Sequence, residues 1–329
     1  MNTKIMKIDG RSLELADKII KSGGVVGMPT ETVYGLGANA FDTGAVEKIF
    51  RIKGRPNDNP LIVHIHKDYD ISTLVSDVPD YAAALQKAFL PGPLTMVYKS
   101  RGVVSKSVSC GLDTLAIRIP SHEGAQKFLK YVNLPIAAPS ANISKHVSPT
   151  SAEHVFNDLN GKIELILDGG KCTGGIESTV LDCTGEIPVV LRSGLITREM
   201  IARTVGECGE YVYKDGARAL SPGMKYKHYS PNCRTVMFAN SEAGKAIELY
   251  SKERANGVRA YILCDDATAV KTAVEDIINL GKTETEIAEN LYSALREGEE
   301  KAELIIAIAP EKQDGVMVGV MNRLSKACS

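Results

Sequence analysis

Over its first two-thirds the chain predicts an α/β or α+β fold, and over its last third a small three-layer α/β domain with a parallel sheet. Three observations carry this. Short apolar runs alternate with amphipathic segments up to about residue 213. The stretch 214–234, KDGARALSPGMKYKHYSPNCR, breaks that alternation with basic, aromatic and proline residues. Beyond it a regular strand–helix alternation resumes. A length of 329 residues also exceeds what one hydrophobic core comfortably holds.

In the first part, runs of branched and aliphatic residues predict strands at Val25–Met28, Leu61–Ile65, Leu94–Tyr98, Leu115–Ile119, Ile136–Ala138, Leu165–Leu167, Thr179–Asp182 and Val189–Arg192. Helical spacing of apolar residues predicts Ser12–Ser22, Thr43–Lys53, Tyr81–Phe89, Gly124–Tyr131, Ser151–Asn157 and Thr197–Val205. Thr43 and Thr197 read as N-caps, although Met200 leaves the capping box at Thr197 incomplete. In the last part, strands are expected at Thr235–Phe238, Val258–Cys264 and Leu304–Ala309, and helices near Glu242–Ala255, Thr268–Leu280 and Glu284–Glu297.

Composition narrows the class. Hydrophobic residues at 44% and charged residues at 24% suit a soluble globular protein. Lys plus Arg (39) nearly balances Asp plus Glu (40), so any anion site must be a local cluster. No apolar run approaches the ~18 residues of a membrane-spanning helix, and the N-terminus has no signal-peptide pattern. Seven scattered cysteines without a CxxC pair predict reduced thiols in the cytoplasm rather than a disulfide framework or zinc site.

Five clusters carry chemistry. Gly27–Gly37 (GMPTETVYGLG) places Thr30, Glu31 and Thr32 at a strand end, where α/β sheets bind ligands. Its glycines Gly35 and Gly37 permit close backbone approach or positive φ, and it is not a phosphate loop of the GxxxxGK[ST] type. Arg51–His64 holds Lys53 and Arg55 at a helix end, before a loop stiffened by Pro56 and Pro60 and crowded by Asn57, Asp58 and Asn59. Such a loop suits polyphosphate. Thr114–Pro120 sets Arg118 among apolar neighbours, where its charge needs either an acidic partner or a substrate carboxylate. Ala137–Ser144 and Ser148 bring small residues around Ser140 and Asn142, with no histidine–acid pair to make Ser140 a nucleophile. Asp168–Val180 and Leu191–Gly194 combine glycines with Ser178, Thr179 and Arg192, an anion nest in outline. The inventory of cations and hydroxyls without a nucleophile, metal triad or redox pair favours chemistry by positioning and charge stabilisation, as in phosphoryl and nucleotidyl transfer.

The series PTETVYGLG, KGRPNDNPLIVH, LAIRIP, APSAN, GGIESTV, LRSG and SPGMKYKHYSP, with the closing GVMVGVMNRLSKA, resembles the longer threonylcarbamoyl-AMP synthases over residues 10–329. The resemblance implies a YrdC-like open twisted α/β sheet domain at 1–213, a linker acting as a lid at 214–234, and a Rossmann-like three-layer domain at 235–329. It implies an enzyme, a nucleotidyltransferase that joins L-threonine, bicarbonate and ATP into threonylcarbamoyl-AMP and pyrophosphate, for a downstream tRNA threonylcarbamoyltransferase. Carried onto matching positions, Thr32, His64, Arg118, Ala138 and Ser178 are expected around threonine. Arg55, Asn59, Thr114, Ser140, Ser148, Arg192 and Tyr229 are expected around ATP. Lys53 and Arg55 are expected to neutralise phosphate charge, and Tyr226, His228 and Tyr229 to form the lid. Magnesium enters with ATP, since no carboxylate cluster forms a protein cage for it. The rival reading is a tRNA- or double-stranded-RNA-binding module without turnover, which the near-neutral charge disfavours.

Overall fold

The computed structural model describes residues 2–212, 229–272 and 274–329. They fall into two units: residues up to 212 apart from 145–147 and 174–176, and those two segments with the residues from 229 onward. Tyr226, His228 and most of the expected lid lie outside the described residues.

The first unit runs β1 (Lys4–Lys7), α1 (Gly10–Lys21), β2 (Val26–Met28), β3 (Gly35–Asn39), α2 (Thr43–Lys53), β4 (Ile62–His64), β5 (Val75–Ser76), α3 (Asp80–Phe89), β6 (Leu94–Ser100) and α4 (Lys106–Ser109). It continues with β7 (Thr114–Arg118), α5 (Glu123–Val132), β8 (Ile136–Ala137), α6 (Ala152–Leu159), β9 (Leu165–Asp168), β10 (Thr179–Asp182), β11 (Val189–Arg192), α7 (Arg198–Val205) and β12 (Gly209–Glu210). These strands form one open, mixed 12-stranded sheet in the order β1-β9-β2-β3-β8-β4-β7-β6-β10-β11-β12, with β5 paired to β6.

Strand alternation then sorts the side chains. Leu61, Val63 and Ile65 around β4, Leu94, Met96 and Tyr98 of β6, and Leu115 and Ile117 of β7 join one core with α2, α3, α6 and α7. At the other end of the sheet, α1 and α5 cover the opposite face through Ile20, Phe128 and Leu129. The intervening residues Ile62, Val97 and Ala116 meet Val180 and Leu191 in a small cluster to which no described helix contributes. That leaves one stretch of sheet face without a helical roof of its own unit.

The second unit contains β13 (Arg234–Phe238), α8 (Ala243–Ala255), β14 (Ala260–Cys264), α9 (Asp266–Thr272), β15 (Ile277–Asn279), α10 (Glu284–Lys301), β16 (Leu304–Ile308) and α11 (Val316–Ala327). Its 4-stranded sheet, β13-β16-β14-β15, is parallel throughout. One face packs on α8. The other receives α10, whose Gly298 lies so close to Ile305 and Ile278 that a Cβ there would sit 2.6 Å from Ile305 Cδ1. The expected three-layer arrangement is the one observed.

The structure corrects several local expectations. The predicted helix Thr268–Leu280 is a short helix, α9, followed by strand β15, because Ile277 and Ile278 find β pairing with Ile262 and Leu263. The N-cap of α2 is Asp42 rather than Thr43: its carboxylate accepts from Ala45 N, while the Thr43 hydroxyl bonds Ser105 instead. Thr197 does cap α7, through Met200 N. Strands β1 and β3 and helix α11 were not predicted. Strand β3 carries two glycines, poor strand formers, and exists because β2 and β8 flank it. Gly35 and Gly37 have ordinary φ and serve close approach. A Cβ on Gly37 would meet Ile136 Cγ2 at 2.7 Å and Met28 Sδ at 3.3 Å. Gly37→Ala should therefore cost about 1–3 kcal/mol, read as a lower urea midpoint; an unchanged midpoint would contradict this packing.

Candidate functional site

Register assembles the site. Parallel pairing of β4 with β7 sets His64 beside Arg118, and antiparallel pairing of β7 with β6 sets Arg118 beside Thr95. Cross-strand neighbours share a face, so His64, Arg118 and Thr95 form a polar row. It lies at the carboxyl ends of β4 and β7, on the face without a helical roof.

Arg118 is 4% exposed and its Nη2 donates to Glu31 Oε1 at 2.8 Å. Glu31 sits on the β2–β3 loop, itself 8% exposed. Burial alone would raise its carboxyl, but the Arg118 guanidinium overrides that and holds it below the usual carboxylate range. The acidic partner anticipated for Arg118 is thus Glu31. Arg118 Nε has no hydrogen-bond partner among the described residues.

His64 is buried, and burial together with the Arg118 charge pushes its pKa down to about 3. Its Nδ1 lies 3.2 Å from Ile62 O, and the carbonyls of Ile62 and Ile136 both favour a ring N–H. The Ile62 carbonyl also accepts from Ala138 N at 2.9 Å, which ties the Ala138 backbone to this strand. On the β2–β3 loop Thr30 Oγ1 donates to Val33 O at 2.6 Å. It therefore accepts from Thr32 Oγ1 at 2.9 Å, leaving the Thr32 oxygen with acceptor capacity.

Around this row, cations close loops. Lys53 ends α2 fully buried, and its Nζ donates to Ser140 O and Asn142 O, each at 2.5 Å. Burial, reinforced by the Arg55 charge, lowers its pKa well below the ordinary lysine value. Lys53 thus clamps the 140–142 loop, where Ser140 Oγ also donates to Asn142 Oδ1 at 2.5 Å. Arg55 Nη2 donates to Asn59 O at 3.0 Å and Pro60 O at 3.3 Å. Asn59 is fully buried, with neither amide atom hydrogen-bonded among the described residues. Arg192 spans Ser178 O and Ser178 Oγ, and Ser178 Oγ lies 2.8 Å from Thr95 Oγ1. Ser148 Oγ donates to buried Glu177 Oε1 at 2.6 Å.

Thr32, His64, Ala138, Arg118, Ser178 and Arg192 thus join through direct contacts or adjacent positions, and Lys53, Ser140 and Ser148 adjoin them through their loops. Thr114 stands at the opposite end of β7, four residues or roughly 13 Å from Arg118 on the same face. Tyr229 belongs to the second unit, where its buried ring stacks on Tyr292 with centroids 5.3 Å apart. Three participants went unassigned at the level of sequence. Glu31 and Glu177 stand inside the quoted motifs, so the signal was present. Thr95 is a lone strand threonine with no local signal.

Fold and site together define an α/β protein whose basic, hydroxyl-lined ends of central strands suit a small anionic ligand. Residues 18–194 match the family described as "Telomere recombination" (Sua5, YciO and YrdC), and residues 196–329 match the threonylcarbamoyl-AMP synthase C-terminal domain. The threonylcarbamoyl-AMP synthase of Pyrococcus abyssi is 42% identical over 98% of this chain and 95% of its own length. That of Bacillus subtilis is 42% identical over 95% of this chain and 91% of its own. A crystal structure of P. abyssi Sua5 complexed with L-threonine superposes with a TM-score of 0.91 at 41% identity, covering 99% of this chain and 97% of that one. The chain belongs to the Sua5/YrdC family of threonylcarbamoyl-AMP synthases.

Two tests follow from the geometry. His64 stays neutral when folded but takes a proton when unfolded below pH ~6.5, so folding stability falls as pH drops from 6.5 toward 3. Between pH 7 and 5 this amounts to about 2 kcal/mol, and His64→Asn should remove that part of the slope in urea melts at the two pH values. Lys53→Met strands two buried carbonyls and should cost about 2–5 kcal/mol. Wild-type stability in that variant would refute the clamp.

Proposed function

We propose that this chain condenses L-threonine, bicarbonate and ATP to threonylcarbamoyl-AMP and pyrophosphate. The observation that carries the reading is the row His64–Arg118–Thr95, closed by Glu31 and Ser178, in a chain similar over nearly its whole length to enzymes of that name. This similarity favours the enzyme over the RNA-binding alternative. No helix among the described residues is long and apolar enough to cross a membrane.

In this reading Arg118 holds the threonine carboxylate through its remaining N–H groups. Neutral His64 and Thr32 offer oxygen and nitrogen acceptors to the ammonium and hydroxyl. The ammonium gives up a proton to solvent, the free amine bonds to the bicarbonate carbon as water leaves, and an oxygen of the resulting carbamate attacks the α-phosphorus of ATP, expelling pyrophosphate. Arg55, Asn59, Ser140, Ser148 and Arg192, on loops clamped in advance, receive the nucleotide, so catalysis is positioning and charge stabilisation. Among the described residues no group of three or more His, Cys, Asp or Glu is placed to hold a metal ion. Magnesium would enter on the phosphates of ATP and neutralise charge on the leaving pyrophosphate. The product, a labile mixed anhydride, needs a downstream transferase that delivers it to tRNA.

Purified protein with Mg-ATP, threonine and bicarbonate should release pyrophosphate and yield threonylcarbamoyl-AMP by mass spectrometry; without that product the reading fails. Arg118→Lys keeps a cation for Glu31 but loses the planar fork. It should raise the KM for threonine about 10-fold or more with little change for ATP. Equal effects on both substrates would remove the carboxylate assignment.

A further inference from the structure

Two short segments from the first two-thirds of the chain, 145–147 and 174–176, belong to the second unit. Each runs directly into a group of the candidate site: Val147 precedes Ser148, and Ile176 precedes Glu177 and Ser178. Ser148 and Glu177 are themselves joined, Oγ to Oε1 at 2.6 Å. Within the second unit both segments are held by α10. Arg296 Nη2 donates to Val147 O at 2.6 Å. Gly175, at φ +69°, lies so close to the helix that a Cβ there would sit 2.2 Å from Ala288 O and 2.4 Å from Glu289 Cα. Between these two contacts Tyr292 stacks on Tyr229, and Ser230 N donates to Lys145 O at 3.0 Å. Glu289, Tyr292 and Arg296 recur at helical spacing, so one stripe of α10 meets all three segments.

The sheet of the second unit does not require that stripe. Gly298, which by helical geometry faces the opposite side from Glu289, packs against Ile305 and Ile278, and a capping box of Thr283 and Glu286 secures the start of the helix. The segments it holds are strained: Lys145 and Tyr229 take left-handed backbone, at φ 76° and 68°, which residues with a Cβ avoid. Such conformations persist only where the surroundings impose them. We propose that α10 is the template for the Ser148–Glu177 pair, with Arg296 as a positioning residue that acts through Val147 to set the backbone from which Ser148 meets the nucleotide. This rests on the use of ATP proposed above and gives the second unit a part in it. Fixing the segment in advance lowers the entropic cost of nucleotide binding.

The test is calorimetric titration of the full chain with Mg-ATP, beside steady-state kinetics. Arg296→Met, which removes the donor, should weaken ATP binding and raise the KM for ATP about 3- to 10-fold, less than the full worth of a hydrogen bond from a charged donor because the effect passes through a peptide link. The KM for threonine should stay within about twofold of wild type, and Arg296→Lys, which keeps a charged donor, should recover most of the ATP affinity. Unchanged ATP binding in Arg296→Met, equal losses for ATP and threonine, or no recovery in Arg296→Lys would overturn the assignment. If Arg296→Met does not fold by circular dichroism, Arg296→Gln, with an N–H on a shorter chain, takes its place under the same criteria. Wild type that binds Mg-ATP yet makes no threonylcarbamoyl-AMP would refute the function proposed above, while the titration still decides the role of Arg296. Wild type that makes product while Arg296→Met binds ATP equally well refutes only that role.

Discussion

The buried ion pair between Glu31 and Arg118 organises its surroundings more than any other single contact. It joins the β2–β3 loop to strand β7 across 87 residues of sequence. Two charges removed from water are expensive, and the attraction between them repays the cost only when geometry and further hydrogen bonds are favourable. Here the pair is direct, and backbone N–H groups of Glu31 and Ser121 also favour the ionised carboxylate. The same guanidinium helps keep His64 uncharged, so one cation sets the protonation of two neighbours.

The cations of the site do much of their work on backbone. Lys53 holds Ser140 and Asn142 carbonyls, Arg55 holds those of Asn59 and Pro60, and Arg192 that of Ser178. Each ties down a loop beside the polar row, so these loops are held by side chains of the protein itself. Close backbone contact completes this. A Cβ on Gly194 would lie 2.5 Å from Thr179 N and 2.8 Å from Glu177 O, so only glycine lets the 193–196 turn press against the Glu177–Thr179 backbone at the start of β10. Preorganisation of this kind lowers the entropic cost of bringing reactants together.

Much of this was legible in the sequence, where the signals are local. Alternation along Leu61–Ile65, Leu94–Tyr98 and Leu115–Ile119 marked strands, and it also separates the core residues from Ile62, His64, Ala116, Arg118, Thr95 and Val97. Where apolar spacing served helix and strand alike, as at Thr268–Leu280, only pairing with Ile262 and Leu263 decided for a strand. Strand β3 escaped for a related reason: Gly35-Leu-Gly37 has no intrinsic preference for extension, and its neighbours impose it.

By itself, then, the sequence determined the layers, most of the helices and strands, the clusters of cations and hydroxyls, and the family they resemble, because spacing, capping and composition act over a few residues. Only the tertiary structure decided which group meets which. That Arg118 finds Glu31, that Lys53 is spent on the carbonyls of Ser140 and Asn142, and that Thr95 reaches Ser178 depend on strand order and register across more than 80 residues of chain. No local pattern encodes such partners, since they follow from how the whole sheet is assembled.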